Sequence, residues 1–381
     1  MAQVSEATRA KVADEIRFDI LQGVPEGEND LKRSQIARTF ICLPHHILPV
    51  PTKEMYSYAL QASLGDDISS ALEAHIAKIT GKRGGSFHAI RPPYTVLCDY
   101  RAHIFKYEAG GAGFHSGAAV TPVIPSNGHH LTLDDVQANM VYGPEIAYAP
   151  TEVIALENTL NGTIIPQDEV IAISEFAHSK GIKMHLDGAR IWHVAAETGI
   201  SLKELVEPFD TVSLCFSKGL GAPIGSCLVG TKEYITRARR IRKLFGGGMR
   251  QTGLLSGSVA YALTYHFPLL PRVHALAHKL EKSLEDIGVT ILSPAETCMI
   301  FYDAGSIGTT YDEIAERGAA LPEPLFLGGS RLVLHIQTTE AAVSDFTKLI
   351  ATIAEEKRKT GFVKPEVKVN GHQDVYVRRA H

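Results

Sequence analysis

The stretch Thr211-Val-Ser-Leu-Cys-Phe-Ser-Lys-Gly219 decides how this chain is read, together with His185-Leu-Asp-Gly-Ala-Arg190 shortly before it. Each is a short run that ends on a charged residue and a glycine, the pattern of a buried strand emptying into a turn. Working outward, Glu152-Val-Ile-Ala-Leu156 reads as another buried strand and Pro166 to Ser179 as an amphipathic helix opened by proline. Ile182 to Leu186 is the strand that leads to Asp187, and a helix-like stretch follows to Glu197. After Gly199 and a short helix from Leu202 to Val206 comes the strand that delivers Lys218. The β-α-β-α-β order predicts an α/β fold of parallel strands with right-handed crossovers. In open sheets of this kind ligands sit beyond the carboxyl ends of the strands, where Asp187 and Lys218 both fall.

That pair has a chemical meaning. A lysine amine can condense with an aldehyde, and a carboxylate nearby can keep a pyridine nitrogen protonated so that the ring withdraws electrons. Lys218 and Asp187 are therefore what a pyridoxal phosphate site requires, and they predict carbanion chemistry on an amino acid. Taken singly, Lys218 reads as a solvated strand-end charge and Asp187 as a helix N-cap. Taken together at neighbouring strand ends, they favour the chemistry.

Composition bounds the rest. At 381 residues and 45% hydrophobic content the chain can bury a sizeable core. A net charge of −4 with interspersed signs leaves no basic stripe for nucleic acid. Met1 to Arg17 is polar and charged, and no run of about 18 apolar residues follows, so no membrane association is expected and the cytoplasm is the expected location. Cys42, Cys98, Cys215, Cys227 and Cys298 are an odd, scattered set that reads as reduced thiols. His45-His46 and His129-His130 lack a third ligand at useful spacing, so exposed loop histidines are expected there and no metal.

Organisation along the chain predicts an N-terminal arm or irregular segment over 1–50 and a large domain over 51–266. A smaller α+β domain follows over 267–363, with a helix from Val273 to Ile287 and strands near Val289, Cys298 and Leu332; a polar, mobile tail closes the chain over 364–381.

Three long motifs carry a family resemblance: His185-Leu-Asp-Gly-Ala-Arg-Ile-Trp192, Ser213-Leu-Cys-Phe-Ser-Lys-Gly-Leu-Gly-Ala-Pro-Ile-Gly-Ser226 and Arg242-Lys-Leu-Phe-Gly-Gly-Gly-Met-Arg-Gln251. With Arg101 to Gly111, Leu156-Glu-Asn-Thr-Leu-Asn-Gly162 and Ser330-Arg-Leu-Val-Leu-His335, they resemble the low-specificity threonine aldolases. The resemblance implies a fold-type-I pyridoxal phosphate enzyme, like aspartate aminotransferase, with a large mainly parallel sheet domain and a small C-terminal domain. It also implies a homotetramer built from dimers that share residues across the interface.

Roles follow from the same resemblance. His103 matches the position where an aromatic ring stacks on the cofactor and where an imidazole can take the substrate β-hydroxyl proton; a structural histidine is the plain alternative. Arg190 and Arg331 match the clamps on the substrate carboxylate, with Arg190 also near the cofactor, against surface salt bridge and strand-edge readings. Asn161 stands where an amide could touch substrate. The family's Ser/Thr-Gly-Thr phosphate turn has no counterpart here, because Gly84-Gly-Ser-Phe-His88 runs almost directly into Arg91-Pro-Pro-Tyr94. Ser86, Lys243 and Arg250 are then the expected phosphate partners.

The activity so implied is cleavage of L-threonine, L-allo-threonine or a related β-hydroxy amino acid to glycine and an aldehyde, in amino-acid metabolism or a biosynthetic pathway. Two alternatives stay open. One is alanine racemisation on the same site, and the other is a non-catalytic relative without the phosphate turn.

Overall fold

In the strand Lys183-Met-His-Leu-Asp-Gly188, Met184, Leu186 and Gly188 are buried while Lys183, His185 and Asp187 are half-buried on the opposite side. This alternation, with period two, fixes which face of a sheet carries chemistry. The computed structural model describes residues 4–17, 67–80, 94–143, 146–247 and 252–364. Two compact units emerge, one comprising residues up to 126, 131–158 and 166–268, the other 127–130, 159–165 and those from 269 onward.

The first unit opens with α1 (Glu6–Ile16) and α2 (Asp67–Thr80). The strand β1 (Tyr94–Asp99), buried at all six positions, leads to the single-turn α3 (His103–Lys106), α4 (Gly111–Ser116) and β2 (Ala118–Val123). Then come α5 (Leu133–Asn139), β3 (Thr151–Glu157), α6 (Gln167–Ser179), β4 (Lys183–Gly188), α7 (Ile191–Thr198), α8 (Leu202–Val206) and β5 (Thr211–Cys215). The unit ends with β6 (Ser226–Val229), α9 (Lys232–Leu244) and α10 (Gly253–Tyr261).

The six strands form one sheet in the order β2-β1-β3-β4-β5-β6. All pairs are parallel except β5 with β6, which is antiparallel. The predicted run from residue 152 to 216 is thus observed in order and in parallel pairing. Local chemistry explains its punctuation: Pro166 precedes α6, Gly199 at φ +68° ends α7, and Ser201 with Glu204 makes a capping box for α8. The helix α6 buries Val170, Ile173, Ser174 and Ala177, a single i, i+3, i+4, i+7 stripe.

One expectation is corrected. Residues 6–16, expected within an irregular N-terminal arm, form a helix. The Ser5 side chain accepts the Thr8 N–H, and Val12 with Ile16, one turn apart, are buried. The rest of that expected arm from residue 18, and the expected tail from residue 365, lie outside the described residues.

The second unit holds α11 (Leu270–Ile287), β7 (Thr290–Ser293), β8 (Met299–Asp303), α12 (Tyr311–Ala319), β9 (Arg331–Val333) and α13 (Glu340–Lys359). Its strands make an antiparallel sheet in the order β7-β8-β9. Leu276, Leu280 and Leu284 of α11, Ile300 and Phe301 of β8, and Phe346 and Ile350 of α13 build its core. No described helix is long and apolar enough to cross a membrane.

A second correction concerns His129-His130. Both rings are half-buried: His129 Nε2 lies 2.6 Å from Glu296 Oε1, and the two Nδ1 atoms are 2.7 Å apart. The other Glu296 oxygen accepts the Ile164 N–H at 2.7 Å, so these histidines tie loops together. No group of three or more His, Cys, Asp or Glu among the described residues could hold a metal ion.

Candidate active site

Strand register lines up two rows of side chains on one face of the first unit's sheet. Cys98 stands opposite Ala155, Ala155 opposite His185, and His185 opposite Thr211. One step nearer the carboxyl ends, Glu157 stands opposite Asp187 and Asp187 opposite Ser213. Paired residues in a parallel sheet share a face, so Glu157 and Asp187 are carboxylates side by side.

The next strand places the amine. After Cys215 the chain turns back through residues 216–225 into the antiparallel β6, and Lys218 lies in that turn. The turn is held by Phe216 N–H to Gly225 O, Ala222 N–H to Phe216 O and Gly221 N–H to Lys218 O, at 2.9–3.0 Å. It also rests on α7. Trp192 Nε1–H donates to Cys215 O at 2.9 Å, and the Trp192 and Phe216 ring centres lie 5.7 Å apart. A β-carbon on Gly219 would lie 2.0 Å from His193 Nε2, so only glycine allows this seat. Gly188 likewise lets β4 approach β5, where a β-carbon would meet Ser213 O at 2.9 Å. The motif residues around Asp187 and Lys218 therefore build the platform under the turn.

Around that platform, Asp187 Oδ1 accepts the Ala189 N–H at 2.9 Å, which leaves Oδ2 with no hydrogen-bond partner among the described residues. Arg190 precedes α7 and its carbonyl accepts the His193 N–H; its guanidinium makes no hydrogen bond or ion pair among the described residues. His103 opens α3, just past β1. Its backbone N–H donates to Glu157 Oε2 at 2.9 Å, and its Nδ1 lies 2.6 Å from Glu108 Oε1.

Electrostatics register this crowding. Burial first, and then the Asp187 charge, push the Glu157 carboxyl up to about 7, against the opposing pull of the His103 N–H, Lys218 and His103. Burial holds His185 below the ordinary imidazole range, with Asp187 opposing. Its Nδ1 lies 2.8 Å from Thr211 Oγ1. Burial pushes the Cys98 thiol up to about 12, so it is an inert core group; Cys98, Cys215, Cys227 and Cys298 are all free thiols.

The structure therefore brings His103, Asp187 and Lys218 to one end of one sheet, with Arg190 three residues after Asp187. Lys243 stands exposed in the last turn of α9, with no described contact to them. Ser86 and Arg250 lie outside the described residues. Asn161 and Arg331 belong to the second unit. There Asn161 (φ +53°) and Gly162 (φ +89°) form a tight turn closed by Leu160 and Thr163, a conformation that Asn-Gly adopts readily. Arg331 opens β9 opposite Phe301. Sequence reading missed Glu157 and Glu108. The signal for Glu157 was its place as the last residue of an apolar run, the position that also singled out Asp187.

Comparison with known proteins identifies the family. Residues 48–305 match the beta-eliminating lyase family. The chain is 39% identical to the low-specificity L-threonine aldolase of Candida albicans, over 81% of this chain and 89% of the relative. It is 40% identical to an aldolase of Penicillium aethiopicum (80% and 83% covered) and 33% identical to an alanine racemase of Cochliobolus carbonum (77% and 83%). The threonine aldolase of Leishmania major shares the fold, with a TM-score of 0.59 at 18% identity over 70% of this chain and 79% of that one. With the parallel sheet, the Asp187 strand end and the Lys218 turn already in place, the chain belongs to the beta-eliminating lyase family of fold-type-I pyridoxal phosphate enzymes, in its threonine aldolase group.

Proposed function

We propose that this protein is a pyridoxal phosphate-dependent aldolase that cleaves L-threonine, L-allo-threonine or a related β-hydroxy amino acid to glycine and an aldehyde. The observation that carries this is the placement of His103, Asp187 and Lys218 just at or beyond the carboxyl ends of β1, β4 and β5 of one sheet. The donor set fits the cofactor. Lys218 offers an amine with no hydrogen bond or salt bridge among the described residues, Asp187 an unengaged carboxylate oxygen, and His103 an imidazole whose backbone amide is held by Glu157, the register partner of Asp187.

When bound, pyridoxal phosphate supplies an aldehyde that joins amines and a ring that takes up the electron pair left at the substrate α-carbon. The residues do the rest. Asp187 would face the ring nitrogen as its proton partner, and Lys218 would hold the cofactor through its amine. Arg190 grips the substrate carboxylate as a two-pronged donor, with Arg331 as second clamp and Asn161 as a further polar contact. Glu108 holds His103 Nδ1 and orients the ring, and His103 is the base for the β-hydroxyl proton. Lys243 and, outside the described residues, Ser86 and Arg250 serve the phosphate.

The assignment as a cytoplasmic homotetramer belongs to the same reading, as does the division into 1–50, 51–266, 267–363 and 364–381. A second reading, alanine racemisation, is favoured by the racemase relative. It needs the same groups and differs in which bond at the α-carbon is broken.

The test is borohydride reduction of the cofactor-loaded protein with peptide mass analysis, followed by incubation with L-threonine, L-allo-threonine and each enantiomer of alanine. A cofactor adduct on Lys218 and acetaldehyde release support the aldolase. Racemised alanine without aldehyde transfers the assignment to the racemase, and no adduct at Lys218 refutes both. Lys218→Ala is expected to lose turnover with the fold intact.

A further inference from the structure

We propose that Glu157 is a positioning residue of this site: gripping the His103 amide on one side and flanking Asp187 on the other, it seats His103 and sets the charge around it. This deepens the aldolase reading and rests on it.

The geometry comes from three elements. Glu157 is the last residue of β3 and stands in register with Asp187 of β4. Its Oε2 accepts the backbone N–H of His103, 54 residues earlier, at 2.9 Å. The amide so held belongs to the first residue of a single helical turn, where that N–H has no partner within the helix. The position of the imidazole therefore follows the position of this carboxyl.

A carboxyl is an expensive choice for that task, because a neutral amide oxygen would accept the same N–H without facing Asp187. The charged or titratable groups around Glu157 come from every packed element: Cys98 of β1, Arg101 and His103 after it, Asp187 of β4 and Lys218 of the β5–β6 turn. Arg101 is already committed to Asp99, which takes its Nε and Nη2 hydrogens at 2.9 and 2.7 Å. Lys218 and His103 are thus the partners that respond to Glu157. Asp187 repels negative charge on Glu157, while Lys218 and His103 attract it. The raised proton affinity of Glu157 places its proton exchange near neutrality.

The experiment compares cofactor-loaded wild type, Glu157→Gln and Glu157→Ala, with L-threonine as substrate. Readouts are kcat and KM across pH, the visible absorbance of bound cofactor across pH, and NMR titration of the His103 ring. Glu157→Gln retains the acceptor and removes the charge. It is expected to keep KM and to displace the absorbance and His103 midpoints by about half a pH unit or more. Glu157→Ala removes both and is expected to lower kcat about tenfold or more, with Glu157→Gln recovering part of the loss. Unchanged midpoints and kcat profile in both variants would overturn the proposal and leave Glu157 a loop tether. If wild type cleaves no β-hydroxy amino acid, the aldolase reading fails, and the His103 titration in the two variants still decides whether Glu157 governs that ring.

Discussion

Gly219 packs directly onto His193, at a distance that leaves no room for a β-carbon. The turn bearing Lys218 is thus held from beneath by the helix that follows Asp187. Gly219→Ala forces the turn off its seat at a cost of about 1–3 kcal/mol. The expected result is a lowered Tm and a lower yield of reduced cofactor adduct on Lys218. The double variant with His193→Ala, which opens the space, should recover part of both. A Gly219→Ala protein with normal Tm and adduct yield would contradict the packing.

Glu108 faces His103 Nδ1 at 2.6 Å. If His103 Nε2 is the base, Glu108→Gln lets the ring adopt the wrong tautomer and lowers kcat about tenfold to a hundredfold with KM little changed. Steady-state kinetics on L-threonine checks this, and a change confined to KM would point instead to a binding role.

Gly162 has φ +89°, and a β-carbon there would lie 2.8 Å from Met299 Cβ. The same turn is anchored by Thr297 Oγ1–H to Gly162 O at 2.6 Å. Gly162→Ala combines backbone strain with a core clash and is expected to destabilise the protein by about 2–4 kcal/mol, read from urea unfolding.

Asp210 accepts the Met184 N–H at 2.9 Å and contacts His178 Nε2 and Lys183 Nζ at 2.9 and 3.0 Å. Against the effect of burial, these hydrogen bonds and the Lys183 charge hold its carboxyl below the ordinary range. A depressed acid contributes stability above its unfolded value, and this is lost as pH falls through the folded value. Tm should therefore fall on acidification below about pH 4 by more in wild type than in Asp210→Asn. Parallel pH profiles would remove Asp210 from the account.

Much of this was legible in the chain itself, for reasons that differ by element. The segment from β3 to β5 announces itself because strand runs, Pro166, Gly199 and the Ser201/Glu204 box are local signals that tertiary packing did not override. The helix α1 was missed because only Val12 and Ile16 of its eleven residues are buried, too few for a visible period. The antiparallel return into β6 was also missed, since Gly219 and Gly221 mark a turn without saying which way the next strand runs. Glu157 and His129 escaped for a third reason. Their partners lie 54 and 167 residues away, and no spacing rule reaches that far.

The pairing of Glu157 with Asp187 also bears on how well the folded chain holds together. Burial, and then the Asp187 charge on the adjoining strand end, keep the proton on folded Glu157 up to about pH 7, whereas the unfolded chain releases it near 4.5, so the folded state loses stability progressively as pH rises between those values. A ligand that binds only the folded chain offsets this by mass action. The cofactor, as such a ligand, would act as a folding partner as well as a reagent.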